Sequence, residues 1–222
     1  MSELLPLFLN LSGRDVLLVG GGRVAEAKLR QLLAVGARVR VVAPAIAPAI
    51  RDVAQDVAFF DRGFEASDLD GAWLVVAAAT PEVNRAVADA AETRRVFVNA
   101  VDDPANATAF LSGVVRRDGV TIAISTSGDA PGLTALLRES LDAVLPSDLA
   151  AWVATARDER VVWRRDQVPM DARKPLLLRA LNKLYDATAA LAEPQPAPGS
   201  PRPAVAPDAR VPWLCGPEDS WL

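Results

Sequence analysis

Three consecutive glycines lie between an apolar run and a helical pattern near the start of the chain. Gly20, Gly22 and Ala25 fit the spacing G-x-G-x-x-G/A, in which the first glycine permits a tight turn and the second lets backbone approach a pyrophosphate. The helix that follows offers free N–H groups and the positive end of its dipole to a phosphate. A purely structural turn is the alternative, but the context favours a dinucleotide-binding loop. Its residues are Gly20, Gly21, Gly22, Arg23 and Val24.

The adenosine side of this predicted site departs from the usual pattern. An acidic residue normally follows the glycines by about 20 positions and binds the ribose hydroxyls, whereas this chain reads VVAPAI at 41–46. We therefore expect backbone groups of Ala43, Pro44 and Ala45 to hold the ribose. No arginine stands just beyond the strand to bind a 2′-phosphate, although Arg40 lies within it, so the sequence favours NAD over NADP.

A carboxylate stands where a later strand ends. The run VFVNAV at 96–101 is followed by Asp102, and open α/β sheets bind their ligands at the carboxyl ends of their strands. A carboxylate there could take a proton while hydride leaves for a nicotinamide, so Asp102 is the predicted catalytic residue. A turn residue is the alternative. Asp103, just before Pro104, fits ordinary turn chemistry and is assigned no role.

Two further segments could complete such a site. The stretch AAAT and the helix after it place Thr80 and Asn84 on the nicotinamide side, although Thr80 before Pro81 is equally a good helix cap. The stretch STSGDAPG at 125–132 precedes a helix, so its N–H groups could receive a substrate carboxylate. Capping of that helix is the alternative. The predicted substrate-binding residues are Ser125, Thr126 and Ser127.

Composition narrows the chemistry further. The chain has no histidine and a single cysteine, Cys215, so one chain cannot assemble a zinc site of the usual ligands or a hydrolase built on histidine. The net charge of −4 gives no general case for nucleic acid or an anionic membrane as a partner. No apolar run reaches the ~20 residues of a membrane span, and the N-terminus lacks a signal-peptide pattern. We expect a cytoplasmic protein that binds neither nucleic acid nor membrane.

Strand and helix patterns alternate over the first hundred residues. This alternation predicts right-handed crossovers and a parallel sheet, hence an α/β, Rossmann-like domain at 1–112. A strand-helix segment at 113–146 and a small helical domain at 147–190 follow, and 191–222 is a proline-rich tail that we expect to be flexible. The predicted strands are 15–20, 37–44, 57–61, 72–80, 96–101 and two within 108–126, and the predicted helices are 24–36, 81–95, 131–146 and those of 147–185.

Several of these segments, in this order, resemble one family. They are LPLFLNLSGRDVLLVGGGRVAEAK, AAATPEVNRAVADAA, FVNAVDDPANATAF and STSGDAPGLTALLRESLDAVLP. Together they resemble the precorrin-2 dehydrogenases, the dehydrogenase/ferrochelatase module of siroheme synthase. The later stretch VPMDARKPLLLRALNKLY is similar to the small helical domain of single-module members, so the resemblance covers residues 4–186.

The resemblance implies an activity and an assembly. It implies NAD-dependent oxidation of precorrin-2 to sirohydrochlorin and, in bifunctional members, insertion of Fe(II) as substrate metal to give siroheme. It also implies a homodimer whose contacts lie in 113–146. The family's Asn-x-Val-Asp motif falls on Asn99, Val101 and Asp102, so Asp102 would also accept pyrrole protons or hold the incoming iron. The family's phosphorylatable serine aligns with Thr126.

The substrate class suits the basic helical segment. Precorrin-2 and sirohydrochlorin carry many carboxylates, which arginine and lysine bind well. A solvated basic face is the alternative for each of these cations, and two other functions stay open for the chain: a chelatase alone, or an NAD-binding regulatory module without turnover. The cations are Arg157, Arg160, Arg164, Arg165, Arg173, Lys174, Arg179 and Lys183.

Overall fold

A computed structural model describes residues 4–53 and 57–192. The chain divides into two compact units, one ending at Ala150 and the other beginning at Ala151. The tail predicted for 191–222, with Trp213, Cys215 and Trp221, lies outside the described residues from 193 onward. No helix in the described part of the chain is long and apolar enough to cross a membrane.

The first unit is built on five parallel strands in the order β3-β2-β1-β4-β5. Two helices, α1 and α3, follow β1 and β4, and the short α2 follows β2. The alternation expected from the sequence is therefore confirmed as an α/β, Rossmann-like sheet. The elements are β1 (Asp15–Val19), α1 (Arg23–Ala34), β2 (Arg38–Val42), α2 (Pro48–Arg51), β3 (Ala58–Phe60), β4 (Leu74–Ala77), α3 (Pro81–Arg94) and β5 (Phe97–Ala100).

The two central strands are apolar on both faces because both faces are covered. Leu18 of β1 and Val76 of β4 pack with Leu29 of α1 on one side of the sheet. Leu17 of β1 and Val87 of α3 pack together on the other side. Continuous burial of VLLV and LVVA is typical of parallel strands between two helical layers.

The chain then leaves the parallel sheet. Strands β6 (Gly113–Arg117) and β7 (Val120–Ile124) form an antiparallel hairpin. Its turn residues, Asp118 and Gly119, both have positive φ, as the twist of a tight hairpin requires. Helix α4 (Pro131–Val144) packs on both strands.

Arg117 joins the hairpin to the end of α4. Its Nη2 donates to the backbone oxygen of Asp142 at 2.9 Å and to the Asp142 carboxylate at 2.7 Å, and its Nη1 donates to the backbone oxygen of Leu145 at 3.1 Å. Carbonyls of a last helical turn have no partner within the helix, so this guanidinium satisfies groups that would otherwise depend on water.

The prediction that strand structure begins at residue 108 is wrong. Residues 108–112 form no strand, and β6 begins only at Gly113. The backbone N–H groups of Thr108 and Ala109 both donate to the backbone oxygen of Val98, and the Val98 N–H donates to the Thr108 hydroxyl at 2.9 Å. These bonds attach the segment to Val98 within β5, but the segment forms no ladder along the strand.

Two helices, α5 (Leu149–Arg165) and α6 (Met170–Ala192), form the described part of the C-terminal region, as its sequence predicted. The indole N–H of Trp152 donates to the Tyr185 hydroxyl at 2.7 Å, and the two rings meet edge to face. Arg173 donates to the backbone oxygen of Val168, in the turn between the helices. The pair is thus held by an aromatic contact and a closed turn.

Candidate cofactor and substrate site

The order of the strands defines a switch point between β1 and β4. From these neighbours the sheet grows outward in both directions, through β2 and β3 on one side and through β5 on the other. Open α/β sheets bind ligands in the crevice at the carboxyl ends of such a pair. The two loops that begin there are Gly20–Gly22 after β1 and Ala78–Thr80 after β4, which are the segments that the sequence singled out.

The three glycines differ in what they do. A Cβ on Gly20 would overlap the backbone oxygen of Ala78, and Gly20 has a φ of +134°. A Cβ on Gly21 would overlap the backbone oxygen of Ala45. The fold itself therefore requires the first two glycines, because other backbone passes directly against them.

Gly22 instead borders open space. A Cβ there would meet no atom within 4 Å, and its backbone at φ −99° suits any residue. It stands before α1, whose first turn has no side-chain cap. The free N–H groups at the start of the helix, beginning with Arg23 and Val24, thus face a space kept clear of side chains, which fits a dinucleotide pyrophosphate.

Arg40, the arginine within β2, is engaged by backbone groups of the fold. Arg40 donates through Nη2 to the backbone oxygens of Asp68 and Asp70, at 3.1 and 3.0 Å. The N–H of Ala43 donates to the backbone oxygen of Phe60, while Pro44 and Ala45 are exposed beyond it. The engagement of Arg40 agrees with the preference for NAD.

On the β4 side, Asn84 is a buried residue of the turn that follows the strand. It is 3% exposed, its Oδ1 accepts the N–H of Ala79 at 3.1 Å, and its own N–H donates to the backbone oxygen of Thr80. Asn84 therefore fixes the turn at the switch point. Thr80 is exposed and precedes Pro81, the first residue of α3.

A cleft of about 470 Å³ lies next to the switch point, beyond the end of β5. Asp102 lines it as an exposed residue with a φ of +56°, a left-handed conformation that Asp tolerates better than most residues. Asp103 also lines it, but its carboxylate accepts from the amide of Asn106 at 2.7 Å, which confirms the turn interpretation. The remaining walls come from 110–113 and from the hairpin end and the first turn of α4.

Asn99 brings an unused acceptor to this cleft. It is 6% exposed, and its Nδ2 donates to the backbone oxygen of Ala109 at 3.0 Å. Its Oδ1 is buried without a hydrogen-bond partner among the described residues. A buried polar atom without a partner is rare in folded proteins, which makes Asn99 a candidate for binding a ligand in the cleft.

The serine-rich loop contributes two of its three predicted residues to the lining, Ser125 and Thr126, while Ser127 is not among the lining residues. The Thr126 hydroxyl lies 2.9 Å from that of Thr134 and accepts the N–H of Ala130 at 3.2 Å. These bonds hold the segment just before α4, but the helix itself has no side-chain cap, so the capping alternative is not confirmed. Ser125 accepts the N–H of Ser127 at 3.1 Å and is exposed.

Lys28 also lines the cleft, and we did not predict it from the sequence. Burial lowers the pKa of its ammonium below the ordinary value, and the negative charge of Asp102 offsets part of this effect. A periodic signal did exist: Lys28 stands three residues after Ala25 and four before Leu32, both buried, so α1 carries a lysine on its apolar stripe.

The predicted cations of the second unit are only partly engaged. Arg165 is paired with Asp166, and Arg173 bonds the Val168 carbonyl. Within residues 4–53 and 57–192, no three acidic, histidine or cysteine side chains gather as they would to hold a metal ion.

The strand order, the glycine loop and the open space beside Gly22 are together typical of a dinucleotide-binding protein of the Rossmann type. A family model of NAD(P)-binding domains matches residues 7–113. Siroheme synthase 3 of Aeromonas hydrophila is 43% identical over 157 residues, which cover 69% of this chain and 34% of that protein. Siroheme synthase of Citrobacter koseri is 44% identical over 148 residues, covering 65% of this chain and 32% of that protein. The chain thus spans about a third of the length of these relatives.

A solved structure supports the fold. SirC, a precorrin-2 dehydrogenase, superposes with a TM-score of 0.61 over 79% of this chain and 88% of its own, at 24% sequence identity. These matches support the resemblance to the precorrin-2 dehydrogenase/ferrochelatase family that the sequence indicates.

Proposed function

We propose that the protein oxidises precorrin-2 to sirohydrochlorin with NAD. The observation that carries this proposal is the position of Asp102, an accessible carboxylate on the cleft beside the switch point, in a chain whose relatives are siroheme synthases. Bound NAD would supply a two-electron hydride acceptor. Gly22 with the first N–H groups of α1 would hold its pyrophosphate, the loop at 43–45 its adenosine ribose, and Thr80, on the turn fixed by Asn84, its nicotinamide side.

The chain's own groups would handle the proton. Asp102 takes a proton from the macrocycle as hydride departs, a role open to a carboxylate at an exposed position. The unpartnered Oδ1 of Asn99 accepts an N–H of the bound substrate and so orients the ring toward Asp102. The hydroxyl of Ser125, an exposed residue of the cleft lining, is offered to a substrate carboxylate.

Iron insertion is the second half of the proposal. The product of oxidation can stay in the same cleft, where Asp102 would accept the pyrrole protons that the macrocycle releases when Fe(II), the substrate metal, enters. The names of the relatives support this step, because siroheme is the iron-loaded product.

We also propose that two copies associate through the segment at 113–146. Helix α4 covers the hairpin with one face, while its other face exposes large apolar side chains, 38 to 62% accessible. A contiguous apolar stripe of this kind marks a protein contact surface. The exposed residues are Leu133, Leu136, Leu137, Leu141 and Val144. The cytoplasmic location, the lack of nucleic-acid or membrane partners and the helical domain at 147–190 stay predictions.

The test is an anaerobic incubation of the protein with precorrin-2 and NAD. We expect NADH absorbance to rise together with the spectrum of sirohydrochlorin, and a further spectral change when Fe(II) is added. Oxidation without the second change would restrict the protein to the dehydrogenase step. Binding of NAD without NADH formation would overturn the proposal in favour of a regulatory module.

A further inference from the structure

The cleft has an unbalanced set of charges. Its ionisable lining residues are Asp102, Asp103 and Lys28, so Lys28 is the only cation among the lining residues of the described chain. A substrate that carries many carboxylates meets two negative charges when it enters. Like charges at short range raise the free energy of such a complex, and one lysine is the countercharge that the cleft wall itself offers.

Lys28 is also free to take a partner. It lies on the apolar stripe of α1 and is half-buried, and no carboxylate lies within 4 Å of it in the part of the chain that the structure describes. A partly desolvated ammonium without an ion-pair partner has lost water contacts that an anion can replace. The charge of Asp102 reaches Lys28 without forming a salt bridge.

The position of Lys28 separates it from the proposed pyrophosphate site. It stands five residues after Arg23 on α1, about 7.5 Å further along the helix axis at the usual rise per residue. The residues that line the cleft with it lie at the end of β5, before β6, around the end of β7 and in the first turns of α4, and the glycine loop is not among them. The ammonium is therefore placed for a group bound beside Asp102.

We propose that Lys28 binds a carboxylate of the tetrapyrrole substrate and thereby positions the macrocycle against Asp102. This inference rests on the proposed function and adds a substrate-binding residue to it. Lys28 gives the polyanionic substrate one fixed ion pair inside the cleft, while Asn99 Oδ1 receives an N–H of the ring. A cation at Lys28 and a hydrogen-bond acceptor at Asn99 together set the orientation of the flat macrocycle.

The test compares Lys28→Met, which keeps an unbranched side chain without the charge, with Lys28→Arg, which keeps the charge. Arg30→Met is the matched control, because Arg30 lies on the same helix, is exposed and pairs with Glu26. The dissociation constant of sirohydrochlorin is measured by anaerobic absorbance titration, and that of NAD by calorimetry. We expect Lys28→Met to weaken sirohydrochlorin by about tenfold or more, with NAD unchanged, and Lys28→Arg to restore most of the loss.

Steady-state kinetics adds a second readout. The same loss should be found in KM for precorrin-2 more than in kcat, because the ion pair exists before and after hydride transfer. Unchanged sirohydrochlorin binding by Lys28→Met would overturn the inference. A rise in the NAD dissociation constant with sirohydrochlorin unaffected would also overturn it and would make Lys28 a cofactor residue.

The binding measurement distinguishes a failure of the proposed oxidation from a failure of the proposed role of Lys28. If the unaltered protein binds sirohydrochlorin but forms no NADH, the proposed oxidation fails while the role of Lys28 is still decided by the titration. If the unaltered protein binds no tetrapyrrole, both are overturned.

Discussion

At the scale of single residues, Asp102 combines accessibility with an uncommon backbone. A left-handed conformation raises the free energy of most side chains, and Asp and Asn accept it with the least strain. Asn at this position therefore keeps the local backbone and removes only the charge, which makes the substitution informative about chemistry.

We expect Asp102→Asn to lower kcat for precorrin-2 oxidation by about 10²- to 10⁴-fold, the usual contribution of a general base. NAD binding should not change, because Asp102 lies outside the glycine loop. Stopped-flow NADH absorbance and calorimetry give the two values. Asp103→Asn is the control and should stay near the unaltered rate, since that carboxylate serves the turn with Asn106. Equal losses in both variants would contradict the assignment.

A second residue-scale prediction concerns the free energy of unfolding. The hydrogen bond from Arg62, followed by one from the backbone of Glu65, holds the pKa of Asp68 below its ordinary value. A carboxyl whose pKa is lower in the folded state stabilises the protein above its unfolded pKa. That stability is lost as the pH falls through the folded pKa.

Asp68→Asn should therefore lower the free energy of unfolding by about 1 kcal/mol at pH 7, a value kept small because the Arg62 side chain is partly solvated. The difference from the unaltered protein should shrink as the pH falls from 5 toward 2. Urea denaturation at several pH values measures both. A difference independent of pH would show that the loss comes from packing instead of charge.

At the scale of elements, one glycine of the loop is required by the fold and its neighbour is available for cofactor binding. Gly21 lies against the backbone of Ala45, whereas Gly22 borders open space. Alanine at Gly21 should therefore affect stability, and alanine at Gly22 should affect NAD binding, although the two residues are adjacent.

We expect Gly22→Ala to leave the melting temperature near that of the unaltered protein and to weaken NAD by about tenfold or more, because its methyl group would occupy the space kept for the pyrophosphate. Gly21→Ala should lower the melting temperature through its clash with the Ala45 backbone. Differential scanning calorimetry and NAD titration distinguish the two. Normal NAD binding by Gly22→Ala would place the pyrophosphate elsewhere.

The sequence predicted the central elements because their signals are local. Continuous apolar runs identified β1 and β4, and a glycine pattern between strand and helix located the loop. The segment at 108–112 was predicted wrongly, since its strand-like residues are held by β5 through a few side-chain and backbone bonds that no local pattern encodes.

The cleft was predictable only in part for the same reason. Asp102 and the serine-rich loop stand at the ends of their own strands, where position along the chain implies position in the fold. Lys28 reaches the cleft from a helix more than seventy residues away in sequence, so its role depends on how α1 packs. The periodicity of α1 indicates that Lys28 faces inward but not which group it faces.

At the scale of the whole molecule, the exposed stripe of α4 carries the proposed association. We expect Leu136→Glu to convert a dimer into a monomer, because a carboxylate cannot be buried in an apolar contact without a partner. Size-exclusion chromatography with light scattering measures the mass.

Val161→Glu serves as the control, since Val161 is more exposed than Leu136 but lies on α5, outside the proposed contact segment. A dimer that survives Leu136→Glu, or one that is lost equally with Val161→Glu, would contradict the assignment of α4.

If two copies associate as proposed, helix α4 contributes to both the contact surface and the cleft. Pro131, Thr134 and Ala135 form part of the cleft wall, while Leu136 and Leu137 lie on the exposed stripe of the same helix. A ligand that orders this wall favours the associated form by mass action, and association in turn favours the ordered wall. Specific activity would then depend on protein concentration: diluted enzyme would turn over more slowly per protomer, and its substrate would draw the protomers back together.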